Sequence, residues 1–285
     1  MIKAFNYLIQ SILIYILFIV GKMLGINLSR VLFSKIFLKF ASKFRSKEVI
    51  EKNLEIFSKN LSVEEKNKII SGMWENYGKT FIEYIFLNQF KKGNINIEIE
   101  GKENLKKIFE NKKPVIFISG HFANYELMSM EIVRNNIKLA TIYRPLNNYF
   151  LNPMMEYLRR KYVCKNQIKK GVGGVREAIE YIKRDYSVAL MIDQRVSEGE
   201  KIKFFGKQAL TTTLPAQLAI KFDLSIVPVF IERKTNDEFK IKFYNEIIAR
   251  NFKNKIELTE KLNNLLEKMI KYKPNQWIWS HNRWK

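Results

Sequence analysis

Histidine is scarce in this 285-residue chain, which holds only two. One of them, His121, stands in "GHFANYE" (Gly120 to Glu126), where the apolar run "PVIFIS" gives way to a helical pattern. Glu126 follows five residues on. In an uninterrupted helix that spacing turns two side chains about 140° apart. With His121 on a turn and Glu126 in the first helical turns, they can meet. A carboxylate on one ring nitrogen fixes the tautomer and frees the other to take a proton from a hydroxyl, help typically worth ~10² to 10⁴ in rate. The same spacing also suits a histidine that caps a helix or is satisfied inside a core.

Asp193 is a second acid of interest. It closes the strand-like "SVALMI" and would lie near His121 if the two strands are neighbours. It is expected to position a substrate or to hold an arginine in the pocket, with a plain turn or cap as the structural alternative. Arg144, Arg159 and Arg160 offer guanidinium forks for anionic groups; of the adjacent pair, one must face solvent. Cys164 is the single cysteine, so no intramolecular disulfide forms, and with no local histidine it reads as a buried small side chain. One cysteine and two histidines give no zinc set. "GVGGVREAIEYIK" fails the dinucleotide fingerprint, because Arg176 takes the place of the third glycine and "NQIKK" before it is a poor strand. It reads as a turn into an amphipathic helix.

The elements that must hold these groups emerge from about residue 94 onward. "NINIEIE" alternates, and "PVIFIS", "KLATIY", "SVALMI" and "SIVPVFI" are apolar runs of strand length. Helical patterns lie between them around Tyr125 to Arg134, Tyr149 to Lys161, Gly174 to Arg184 and Leu214 to Phe222. The alternation predicts an α/β domain over 93–285, with a mainly parallel central sheet flanked by helices. In such folds functional groups gather at the carboxyl ends of strands, where both His121 and Asp193 fall.

Upstream, "AFNYLIQSILIYILFIVG" carries no charged side chain and has the length of a bilayer-crossing helix, so residues 1–24 are expected to form a membrane anchor. A helical membrane-proximal segment over 25–92 follows. Within it Lys35, Lys39 and Lys43 recur beside Ile36, Phe37, Phe40 and Phe44, a spacing for a helix lying among headgroups or for one packed on the core. Lys3 alone precedes the apolar run, whereas Lys22, Arg30, Lys35, Lys39, Lys43, Arg45 and Lys47 follow it, which is expected to place the bulk of the chain on the cytoplasmic side. The formal charge is +22. Such a surface attracts anionic lipids or acidic proteins. No nucleic-acid motif accompanies it, so nucleic acid is not expected as a partner.

"GHFANYE" resembles the H-x4-D/E motif of the glycerolipid and lysophospholipid acyltransferases, in the flavour of the lipid A late acyltransferase (lauroyl/myristoyl) branch. More of that pattern follows in order: "YRPL" at Tyr143, "MIDQ" at Met191, "FFG" at Phe204 with Thr211 and Thr213 after it, "VPVF" at Val227 and "QWIWSHNRWK" at Gln276. The branch usually has tryptophan in place of Tyr125, often glycine in place of Ala123, and commonly glycine in place of Leu214. The resemblance implies acyl transfer from a thioester, acyl carrier protein or acyl-CoA being a co-substrate rather than a resident cofactor, to a hydroxyl of a lipid A precursor at the bacterial inner membrane. It implies His121 as general base oriented by Glu126. Asn124, Arg144, Arg159 or Arg160, Asp193 and Gln194 are then assigned to substrate binding. No G-x-S-x-G elbow is present, so the transfer is expected to be direct. Another membrane glycolipid or a lysophospholipid is the alternative acceptor, and a non-catalytic basic membrane protein the alternative class.

Overall fold

The computed structural model describes residues 2–44 and 46–285, and the side chains of all of these except 41–44. The expectations for Lys43 and Phe44 as side chains, and for Arg45, lie outside the described residues.

The chain opens with helices: α1 (Ile2–Phe44), α2 (Lys47–Phe57), α3 (Val63–Glu83) and α4 (Leu87–Lys92). Gly25 lies inside α1 at φ 75°, a left-handed value that breaks the helical path where the apolar run ends. The helix is docked along one side rather than free-standing. Phe18 and Phe33 pack against Ile82 and Phe86, and Gly78 of α3 lets the α1 backbone come close, since a Cβ there would meet the Phe33 carbonyl at 2.4 Å. The opposite side of α1 leaves Ile2, Phe5, Ile12, Ile16, Ile19 and Met23 exposed. Among the described residues this is the one helix long and apolar enough to cross a membrane. Phe33 and Phe37 of the expected amphipathic stretch face α3, while Lys35 and Lys39 are exposed.

The α/β part follows as β1 (Ile97–Glu100), α5 (Lys102–Asn111), β2 (Ile116–Ser119), α6 (Glu126–Arg134), β3 (Leu139–Tyr143), α7 (Asn152–Leu158), β4 (Asn166–Lys169), α8 (Val172–Lys183) and β5 (Ser187–Met191). Then come the hairpin β6 (Glu200–Phe204) and β7 (Lys207–Thr211), α9 (Leu214–Lys221), β8 (Ser225–Arg233), β9 (Phe239–Phe243), β10 (Ile247–Ile248) and α10 (Lys255–Tyr272). The main sheet runs β1-β9-β8-β2-β5-β3-β4, with β10 beside β8. It is mostly parallel; β8 pairs antiparallel with β9 and β10. Along the strands, Ile116, Ile118, Val188, Leu190 and Ile226 face a core shared with α2, α3, α8, α9 and α10. Their alternates Phe117, Ala189, Val227 and Val229 face a second core built with α4, α5 and α6. That period of two is what a sheet covered on both faces requires.

Two expectations need correction. "NQIK" does form a strand, β4; it is tolerated because it lies at the sheet edge, where half-polar strands are stable. The helix expected over Tyr149 to Lys161 starts later, at Asn152, and from Arg159 it widens to a π-turn that runs on to Val163.

Candidate active site

The register of the central strands sets the site. β2 and β5 are parallel neighbours, and Ser119 pairs with Met191. Each chain then runs two residues past its strand, so His121 and Asp193 arrive at the same height above the carboxyl edge. Asp193 is fully buried and grips the turn twice, accepting from the His121 backbone N–H at 2.8 Å and meeting its ring Nδ1 at 2.7 Å. Trp277 Nε1 donates to the same carboxylate at 2.9 Å. Burial alone would raise the Asp193 carboxyl, but the His121 charge, its two hydrogen bonds and the Trp277 N–H outweigh this and hold it at about 2. An ionised carboxylate only accepts. The Nδ1 of His121 therefore carries the proton, which leaves Nε2 as the ring nitrogen free to exchange one.

This overturns the expected pairing. Glu126, at the first turn of α6, does not hold the imidazole; its Oε1 accepts from Arg159 Nε at 2.8 Å and Nη2 at 2.6 Å, and from the Tyr84 hydroxyl. Burial opposes the Arg159 charge, but the Glu126 carboxylate outweighs it and raises that guanidinium further. The π-turn aims Arg159 inward over the rings of Tyr84 and Tyr143, whereas Arg160 is exposed and donates to the Lys165 carbonyl. Asp193 likewise holds a histidine rather than an arginine.

Asn124 is also misplaced by the sequence reading. It is buried behind the turn, donating to Glu83 Oε2 at 2.9 Å, and it does not line the cavity. Glu83 is fully buried and also binds Arg30 and Arg233. Burial works against its charge, yet the two arginines keep its carboxyl below the usual range. Thr80 donates to the Ala123 carbonyl, and the Gln276 carbonyl accepts from the Ala123 N–H. These contacts clamp Ala123 at φ 43°, a left-handed value favouring the glycine common at this place in the resembling branch.

A cavity of about 430 Å³ opens on His121, Tyr125 and Glu126. Arg144, Arg159, Lys170 and Gln194 line it with polar groups, and Met128, Ile142, Leu190 and Leu214 with apolar ones. Tyr125 meets the His121 ring edge-on at 4.7 Å. Arg144, Arg159 and Gln194 line the cavity, while Arg160, Asn124 and Asp193 do not. Lys170 and His281 were missed. Lys170 follows β4 directly, so the carboxyl-end rule would have found it had "NQIK" been read as a strand. Cys164 is buried, burial raises its thiol, and it donates to the Leu139 carbonyl.

An α/β sheet that presents a carboxylate-held imidazole and several cations over one cavity at its carboxyl edge has the layout of an enzyme's active site. The sequence model of the bacterial lipid A biosynthesis acyltransferase family matches residues 2–285, and the chain belongs to that family. It is an O-acyltransferase. The lipid A biosynthesis palmitoleoyltransferase of Escherichia coli (strain K12) is 24% identical over 247 residues, 85% of this chain and 79% of that protein. The lipid A biosynthesis lauroyltransferase of the same strain is 22% identical over 255 residues, 87% of this chain and 82% of that one. The crystal structure of a 1-acyl-sn-glycerophosphate acyltransferase from Thermotoga maritima aligns with a TM-score of 0.43 at 16% identity, over 90% of this chain and 99% of that one.

Proposed function

We propose that the protein transfers a fatty acyl group from an acyl-carrier-protein thioester to a hydroxyl of a lipid A precursor, with His121 as general base. The observation that carries this reading is the 2.7 Å contact of His121 Nδ1 with the buried Asp193 carboxylate. Its Nε2 takes the acceptor's hydroxyl proton as that oxygen attacks the thioester carbonyl. The tetrahedral intermediate collapses with loss of the thiolate, which takes the proton back from the imidazolium. Asp193 stabilises the charged ring in between. Glu126 serves at one remove, holding Arg159 beside the cavity. Arg144, Arg159 and Lys170 meet the phosphates of the acceptor or of the donor's pantetheine arm.

The bare side of α1 belongs in the hydrocarbon of the bacterial inner membrane. Because the helix is docked on the domain, it draws the cavity down to the headgroups instead of tethering it at a distance. The excess of basic residues after the apolar run puts the catalytic domain on the cytoplasmic face. There the charge of +22 suits both anionic lipid and an acidic carrier protein.

Mass spectrometry of lipid A from cells lacking the gene tests the reading. We expect the loss of one acyl chain, restored by the wild-type gene and not by His121→Ala. Lipid A of unchanged mass in the deletion strain would refute the assigned acceptor.

A further inference from the structure

The second histidine lies in the same cavity as the first. His281 belongs to the last stretch of the chain, and its backbone is fixed from three directions. Asn53, itself buried, donates to the carbonyls of Trp279 at 2.7 Å and His281 at 2.8 Å. Arg283 donates to the Leu210 carbonyl and to Thr211 Oγ1, both at 2.7 Å. Trp277 is tied to Asp193, which also holds His121. The two imidazoles are therefore anchored to one carboxylate by short rigid segments.

The His281 ring is polarised by its surroundings. Its Nδ1 is sealed from solvent and has no hydrogen-bond partner among the described residues. Its Nε2 makes no hydrogen bond among the described residues either, it is not among the sealed atoms, and the residue lines the cavity. Burial, reinforced by the positive charges of Arg283 and Lys170 and opposed by Asp193, lowers its pKa to about 4, so the ring is neutral at physiological pH. A neutral imidazole carries one proton. A sealed N–H without an acceptor is rarer in proteins than a sealed bare acceptor, so the proton belongs on Nε2, facing the cavity.

Resting on the reading of His121 as the base, we propose that His281 Nε2–H donates to the thioester carbonyl oxygen and to the oxyanion it becomes. The two imidazoles then divide the work: one, with a lone pair, accepts the hydroxyl proton; the other, with an N–H, stabilises the charge that attack creates. The donor keeps its own proton throughout. A neutral imidazole suits this task, because it polarises a carbonyl without surrendering a proton to it.

Three variants of the full chain, assayed in detergent micelles with an acyl-carrier-protein thioester and a lipid A precursor, test the assignment. His281→Gln carries an amide N–H to about where Nε2 stands, His281→Asn stops short near Nδ1, and His281→Phe has no donor. We expect Phe and Asn to lower kcat roughly 10²- to 10³-fold with KM within about threefold, and Gln to recover at least about tenfold of that loss. Thermal midpoints within a few degrees of one another set folding aside, and if the Phe variant does not fold, the Gln and Asn pair decides. Equal activity of Gln and Asn, or a loss confined to KM, overturns the proposal. His121→Ala in the same assay separates the two readings: if it retains activity, the base assignment fails, whereas an inactive His121→Ala with matched Gln and Asn variants removes only the role of His281.

Discussion

Two carboxylates serve the cavity, and their partners differ. Asp193 comes from another strand, 72 residues from His121, and holds its imidazole; Glu126, five residues away in the same motif, holds Arg159. Asp193 is set by strand register, so it moves only if the sheet does. Glu126 sits at a helix N-terminus, where negative charge is favoured, and anchors a cation reached through a π-turn. Nearness along the chain thus gives a poor guide to which acid serves which base, and adjacency within the sheet gives a good one.

The sharpest way to break this contrast is Asp193→Asn. The amide keeps an acceptor for the backbone N–H but no longer enforces the Nδ1–H tautomer, and kcat is expected to fall about 10³- to 10⁴-fold, read in a steady-state transfer assay. The same substitution alters acid stability. The native carboxyl lies at about 2, below its unfolded value near ~4. Its contribution is therefore present above pH ~4 and lost as pH falls toward about 2, and the variant should show a flatter acid limb in thermal denaturation. Glu126→Gln comes next. It strips the counter-charge from Arg159, and we expect activity to fall about 10²-fold, together with a stability loss of ~3 kcal/mol in chemical denaturation. A larger kcat loss here than for Asp193→Asn would return the imidazole to Glu126. Smallest is Arg160→Ala, expected to leave kcat/KM within about twofold because that side chain is exposed on the far side of the π-turn from Arg159. A tenfold loss would mean that both arginines reach substrate.

Much of this frame was legible in the sequence. The strands containing Ile118 and Leu190 read as apolar runs, and His121 and Asp193 stood where such runs end. Other strands escaped for physical reasons. β4 is polar because it is an edge, and the hairpin of β6 and β7 pairs outside the main sheet. β9 was detectable, since Phe239, Ile241 and Phe243 alternate with lysines and are all buried. The partner of Glu126 was beyond periodicity: Arg159 turns inward only because one helical turn widens, and no residue spacing announces that. The C-terminal aromatics alternate with polar residues, a pattern that does not say what they face; Trp277 and Trp279 are buried in the core.

The strap formed by residues 277 to 285 has a consequence for how competence arises. Asn53 meets His281 across 228 residues of sequence, and Trp277 reaches Asp193 across 84. Contacts of such range carry a loop-closure cost that the rest of the fold has to meet. The pocket is thus complete only when distant parts of the chain have met.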